Sequence, residues 1–124
     1  MTDFRFPSKC RLRRGADFER VYRLKVRAAD GCLLIFAARN GLDCTRIGLS
    51  VSKKHGNSVV RHRLKRLLRE AFRHVRSDLP AGLDLILIPQ PSGAPAVATY
   101  QDSLLRLARK LHAKLDRAPP PAPA

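Results

Sequence analysis

Residues 56–76 read GNSVVRHRLKRLLREAFRHVR. Within them Val60, Leu64, Leu67, Leu68, Ala71 and Val75 recur at steps of three and four, which gathers them into one apolar stripe along an α-helix. Gly56 and Asn57 break whatever precedes, Ser58 is placed to cap the first free amides, and Phe72 sits at the edge of the stripe as a core residue. The opposite side carries His62, Lys65, Arg66, Arg69, Arg73 and Arg76. Solvated helix faces normally mix signs, yet Glu70 is the only acid among the seven Arg and Lys of residues 61–76. Like charges four apart, such as Lys65 with Arg69 and Arg69 with Arg73, repel unless a counter-charge lies outside the chain. One side of this helix therefore reads as core and the other as a polyanion contact.

Upstream, residues 46–53 alternate, with Ile47, Leu49 and Val51 on one side and Gly48, Ser50 and Ser52 on the other, as in a half-buried strand. Cys32 to Ala38 is an apolar run followed by Asn40-Gly41, a turn pair, so two antiparallel strands are the simplest account. Before them, a short helix is expected over Ala16 to about Leu24, which Asp17 can cap and in which Phe18, Val21 and Tyr22 share a face. Phe4 to Arg14 has no steady period and many cations, and residues 1–14 read as an extended basic arm. Downstream, Pro80-Ala81-Gly82 ends the long helix and Leu83 to Ile88 suits a central strand, interrupted only by Asp84. Pro89 to Pro95 is a loop. Leu104, Leu105, Leu107, Ala108, Leu111 and Leu115 then define an amphipathic helix starting near Pro95, with Arg106, Arg109, Lys110 and Lys114 toward solvent. The Pro/Ala-rich tail, residues 117–124, has nothing to bury and is expected to be disordered. The order of elements predicts one α+β two-layer sandwich domain over residues 1–116, with helices on one face of a sheet.

A chain of 124 residues with 44% hydrophobic content can bury a real core, but 25 Lys and Arg against 10 Asp and Glu leave a formal charge of +15. Such a charge calls for a polyanion, and nucleic acid is the natural one. The sequence holds no long uncharged apolar run and no signal-like start, which predicts a soluble, cytoplasmic protein without membrane contact. Cys10, Cys32 and Cys44 are odd in number and far apart, and read as free thiols. His55, His62, His74 and His112 lack the spacing of a metal site. There is no carboxylate cluster for two magnesium ions, no nucleophile elbow and no phosphate-binding glycine-rich loop, so the chain reads as a binder with no catalytic residue of its own.

Arginine predominates in the basic helix, and a guanidinium can grip phosphate in bidentate fashion or stack on a base, although phosphate contact does not separate RNA from DNA. Lys53-Lys54-His55-Gly56-Asn57 leads into that helix and reads equally as a turn or as a phosphate seat near the positive helix end. From spacing alone Phe18, Tyr22 and Phe36 are core residues, with base stacking as the alternative.

The stretches IGLSVSKK (residues 47–54), GNSVV (56–60) and RHRLKRLLREAFR (61–73), with Phe6-Pro7, Leu12-Arg13-Arg14, DFERVY (17–22) and DLILI (84–88), closely resemble the signature of the bacterial ribonuclease P protein family. The resemblance covers most of the chain outside the tail. His62 departs from it, because the family usually has Asn between the two arginines. An imidazole still donates a hydrogen bond, with a different reach.

The resemblance implies the fold shared by ribonuclease P proteins and domain 2 of ribosomal protein S5, in which a helix joins two parallel strands by a left-handed crossover, against the usual hand. It implies a protein that assists a catalytic RNA in cutting the 5′ leader from precursor tRNA. Arg61, His62, Arg63, Lys65, Arg66, Arg69 and Arg73 would face the catalytic RNA. Phe18, Tyr22 and Phe36 match the family's cleft aromatics, and with Ser50, Ser52, Lys53 and Lys54 they would receive the single-stranded leader. Magnesium would be held mainly by the RNA, and the protein would be a monomer with one copy per RNA. A general RNA-binding protein, a metal-dependent nuclease and a DNA-binding protein using the basic helix are the competing readings.

Overall fold

The long basic segment folds as its period predicts, and everything else is arranged around its apolar side. The computed structural model describes residues 11–12, 15–91 and 96–117. Its elements run α1 (Ala16–Leu24), β1 (Arg27–Ala29), β2 (Leu33–Arg39), β3 (Arg46–Leu49), α2 (Ser58–Val75), β4 (Leu83–Pro89) and α3 (Val97–Arg117), with 3-10 turns at Lys53–His55 and Arg76–Asp78. Apart from Arg11 and Leu12, the basic arm expected over residues 1–14 lies outside the described residues, as do residues 118–124 of the tail; Arg117 ends α3.

The four strands lie in the order β1-β2-β4-β3. β4 is antiparallel to β2, from Leu33 opposite Pro89 to Arg39 opposite Leu83, and parallel to β3, from Arg46 beside Asp84 to Leu49 beside Leu87. The expected pairing of β2 with β3 is therefore corrected: they run in opposite senses but β4 lies between them. Leu83 to Leu87 are all buried, and the most continuously apolar strand takes the central place, where both faces are covered. Asn40 does not make a tight hairpin. Its Nδ2 donates to the carbonyls of Cys44 (3.0 Å) and Leu83 (3.1 Å), anchoring the loop on β4.

The reading also passed over β1, whose Arg-Ala-Ala sequence carries no strand signal of its own. It pairs antiparallel with β2, Arg27 opposite Phe36. Asp30 makes the connection by accepting from the amides of Cys32 (2.8 Å) and Leu33 (2.9 Å). Asp30-Gly31 was the legible hairpin signal. β3 ends at Leu49, short of Lys53, because Ser52 caps a 3-10 turn instead. The Nδ1 of His55 accepts from the Ser52 amide at 2.9 Å, which leaves Nε2 to donate to the Pro89 carbonyl at 2.9 Å. The cap of α2 is Asn57, whose Oδ1 accepts from the Val60 amide at 3.0 Å; Ser58 is the first helical residue.

Period two divides the sheet's side chains. Leu33, Ile35, Ala37, Ile47, Leu83, Leu85 and Leu87 face α2 and α3, where they meet Leu64, Leu68, Phe72, Leu104, Leu107 and Leu111. This is the two-layer sandwich. Ala38 and Ile86 face the other way with Val21 and Leu12, and Phe18, Tyr22, Phe36 and Ile88 surround them. Helices were expected on one face; α2 and α3 obey this, and α1 crosses the opposite face. A short helix leaves part of that face open. Cys32 and Cys44 are free thiols.

Candidate nucleic-acid interface

α1 is held on the open face by a buried carboxylate. Asp84, fully buried in β4, accepts from Arg46 Nε at 2.8 Å and from Arg46 Nη2 at 2.7 Å, a bidentate grip from the neighbouring strand. Arg20 of α1 reaches the same carboxylate, and Asn40 Nδ2 donates to it at 2.9 Å. The hydrogen bonds to Asp84 raise the pKa of Arg46, locking its charge. This network escaped the sequence reading, although an acid inside an otherwise apolar strand requires a cation to satisfy it.

A second close fit brings α1 to β3. A Cβ built on Gly48 would stand 2.5 Å from Phe18 Cζ and 2.6 Å from Cε1, so only glycine lets that ring descend onto the strand. Phe18 and Tyr22, one turn apart, meet edge to face with centroids 6.3 Å apart, and Tyr22 meets Phe36 at 4.9 Å. The guanidinium of Arg27 lies 5.8 Å from the Phe36 centroid. All three rings are half-buried, so each serves the small second core while part of it remains open. Core and stacking surface are the same residues here.

Between α1, the end of β3 and the start of α2 runs a groove of about 540 Å³ lined by Gly15, Phe18, Tyr22, Leu49, Ser50, Val51, Ser52, Lys53, Arg61 and Lys65. It continues past Phe18 and Lys65 to Arg11, Gly48 and Arg69. The structure thus brings together Phe18, Tyr22, Ser50, Ser52 and Lys53, and adds Arg61, Lys65 and Arg69 from the basic helix along the opposite wall. Two expected members stand apart. Phe36 lies behind Tyr22, and Lys54 turns to a neighbouring groove with His55, Pro89 and Tyr100. His62, Arg63 and Arg66 point outward from α2 beside Ser58 and the exposed Val59.

Glu70 is engaged by Arg73 Nη2 at 3.2 Å and His74 Nε2 at 3.0 Å. Arg61, Arg63, Lys65, Arg66 and Arg69 make no ion pair among the described residues, and Arg61 Nε is buried without a hydrogen-bond partner. Aromatic edges, two hydroxyls and unneutralised cations in one open groove suit a single-stranded polyanion, which offers phosphates to the cations and bases to the rings. The linings of both grooves contain no carboxylate, and magnesium takes hard oxygen ligands, so these donors do not fit a resident divalent ion. No helix among the described residues is long and apolar enough to cross a membrane.

Residues 6–114 match the family model described as Ribonuclease P. The ribonuclease P protein component of Brevibacillus brevis is 39% identical over 102 residues, 81% of either chain. That of Alkaliphilus metalliredigens is 37% identical over 107 residues, 84% of this chain and 95% of the relative. The solved RNase P protein of Staphylococcus aureus superposes with a TM-score of 0.69 at 33% identity, covering 86% of this chain and 96% of that one. The Thermotoga maritima RNase P protein gives 0.72 at 28% identity, covering 81% and 96%. The chain belongs to the ribonuclease P protein family.

Proposed function

We propose that this chain is the protein subunit of a ribonuclease P, which binds the catalytic RNA and the 5′ leader of precursor tRNA and assists endonucleolytic removal of that leader. The observation that carries the reading is the groove in which Phe18 and Tyr22 face Lys53, Arg61 and Lys65 with no acid between them. Leader bases stack on the ring edges, about 1–3 kcal/mol per base, while the cations and the Ser50 and Ser52 hydroxyls hold the intervening phosphates. Arg63, Lys65, Arg66 and Arg69, together with His62 as a hydrogen-bond donor, face the catalytic RNA, Lys65 and Arg69 also bordering the groove, and Arg73 extends that surface toward the C-terminal end of α2. Lys54 reaches a phosphate beyond the groove, and Phe36 supports Tyr22 from below.

In this reading the protein supplies no catalytic residue. Magnesium would be held by the RNA phosphates and would supply the activation of water for a hydrolytic cut that leaves a 5′ phosphate on the mature tRNA. What the protein contributes is neutralisation and discrimination. Its cations offset repulsion between two RNAs, which lowers the magnesium required, and its grip on the leader favours precursor over a product that has lost it. It works in the cytoplasm as a monomer, one per RNA.

The test is reconstitution with ribonuclease P RNA and a precursor tRNA at low magnesium, following release of the leader. Cleavage that needs both components, with none from the protein alone, supports the reading. A protein that never stimulates the RNA would leave a general RNA chaperone as the better account.

A further inference from the structure

We infer that the outer face of α3 is a second RNA-binding surface, separate from the leader groove and from α2, which takes the sugar–phosphate backbone of a base-paired RNA segment. The inference rests on the proposed function and goes beyond it. Arg106, Arg109, Lys110, Lys114 and Arg117 fall within an arc of about 140° at 100° per residue, and span about 16 Å along the axis. The other side of the helix is fully used, with Leu104, Leu107, Ala108 and Leu111 in the core.

Two of these cations are partly engaged: Arg106 pairs with Asp30, and Lys114 Nζ donates to the Arg27 carbonyl at 2.8 Å. Arg109, Lys110 and Arg117 are exposed, with no ion pair or hydrogen bond among the described residues. On the rim of the face, Asp116 is occupied by Arg39 and lies 3.7 Å from His112; Asp102, one turn before Arg106, is the remaining acid. A solvated face would carry i,i+4 partners of opposite sign; here Asp102 stands at that spacing only to Arg106, and Arg109, Lys110, Lys114 and Arg117 have no acid three or four residues away.

Position separates this surface from the groove. α3 lies over β1 and β2, at the far side of the strand order from β3, and on the opposite face of the sheet from α1. A strand of RNA seated against Phe18 and Tyr22 does not reach it without passing around the sheet. The chemistry also differs. α3 has no Phe or Trp and its one Tyr, Tyr100, is buried, so the face lacks the ring platform that Phe18 and Tyr22 supply in the groove. Phosphate contact without stacking selects RNA whose bases are already paired inward. An anionic membrane would require an apolar flank beside the cations, and the apolar side of α3 is committed to the core.

The test uses the full-length triple variant R109A/K110A/R117A beside K65A/R69A, each titrated with ribonuclease P RNA over a range of salt, with hydroxyl-radical footprints of the complexes. Melting curves check folding, which exposed substitutions leave nearly unchanged. The expected result is a plot of log K against log salt shallower by about two to three units for the triple variant, from about 0.9 per phosphate contact. The triple variant should also lose protection over a base-paired segment that K65A/R69A still protects. A wild-type slope and footprint for the triple variant, with K65A/R69A impaired, would overturn the inference alone. Wild-type behaviour of both would overturn the proposed function beneath it as well. Loss of binding to anionic vesicles by the triple variant, with the RNA slope intact, would assign the face to a membrane and defeat the proposal.

Discussion

The tip of the Phe18 ring occupies the space in which any residue other than glycine at position 48 would place its Cβ, 2.5 Å from Cζ. One wall of the groove is therefore set by a side chain that is missing from the strand opposite. Gly48→Ala should push the ring off β3, lower stability by about 1–3 kcal/mol, and weaken leader binding about as much as Phe18→Ala does. The check is holoenzyme affinity for precursor against leaderless tRNA. A Gly48→Ala protein that discriminated the two as well as wild type would show that the seat of the ring does not matter.

Asp84 joins β4, β3 and α1 through one carboxylate. Replacing it by Asn removes the charge that Arg46 and Arg20 share and leaves the better-buried Arg46, with 21% of its side chain exposed, short of a counter-ion. Removing one partner of a buried pair costs about 3–5 kcal/mol, and Asp84→Asn belongs near the lower end because the amide retains part of the hydrogen bonding. Arg20, 40% exposed, should matter far less: Arg20→Ala should cost at most about 1 kcal/mol. Urea unfolding of the two variants tests the order, and an equal loss in both would sink it.

Asp30 gives stability a dependence on acid. Burial alone would raise its pKa, but the Leu33 amide, the Ser103 hydroxyl, the Cys32 amide and Arg106 together hold it below the ordinary 3.8. Because the folded value lies below the unfolded one, the stabilisation is complete above 3.8 and is lost as pH falls through the lower folded value. Asp30→Asn should cost about 1–3 kcal/mol at neutral pH and flatten the acid limb of the stability curve. Urea midpoints at neutral pH and near pH 3 measure both, and an unchanged acid limb would count against it.

The parts legible in the sequence were those that local period determines. α2 announced itself through Leu64, Leu68, Ala71 and Val75, although Val60 of the same stripe is exposed at the first turn, and α1 through Phe18, Val21 and Tyr22, because an apolar stripe needs no knowledge of its partner. Strand order was not legible. Alternation at Ile47 and Leu49 says which side faces in, but not that β4 intervenes between β3 and β2, which depends on contacts from β4, more than thirty residues downstream. The groove was legible only through the family resemblance, since spacing alone assigned its rings to the core. The aromatics are half in a small core, and such residues carry a core pattern whether or not one edge is open. Asp84 interrupted an apolar run, whereas Gly48 sat within the alternation; an acid inside an apolar strand is where a buried ion pair should be sought, and a glycine inside a strand is where a close approach should be.

The cations of α2 should not contribute equally to RNA binding, and the difference follows from Glu70. Arg73 shares its guanidinium with that carboxylate at 3.2 Å, whereas Arg66 and Arg69 are exposed and unpaired among the described residues. A cation already partly neutralised releases fewer counter-ions when phosphate arrives. Arg66→Ala and Arg69→Ala should each reduce the salt slope for binding ribonuclease P RNA by about 0.9, and Arg73→Ala by clearly less. Glu70→Gln should then bring Arg73 up to the level of its neighbours, so that Arg73→Ala made on the Glu70→Gln background loses nearly as much slope as Arg69→Ala. Equal slopes for all three single variants would mean that the ion pair opens when RNA binds and that the helix presents its charge as a uniform stripe.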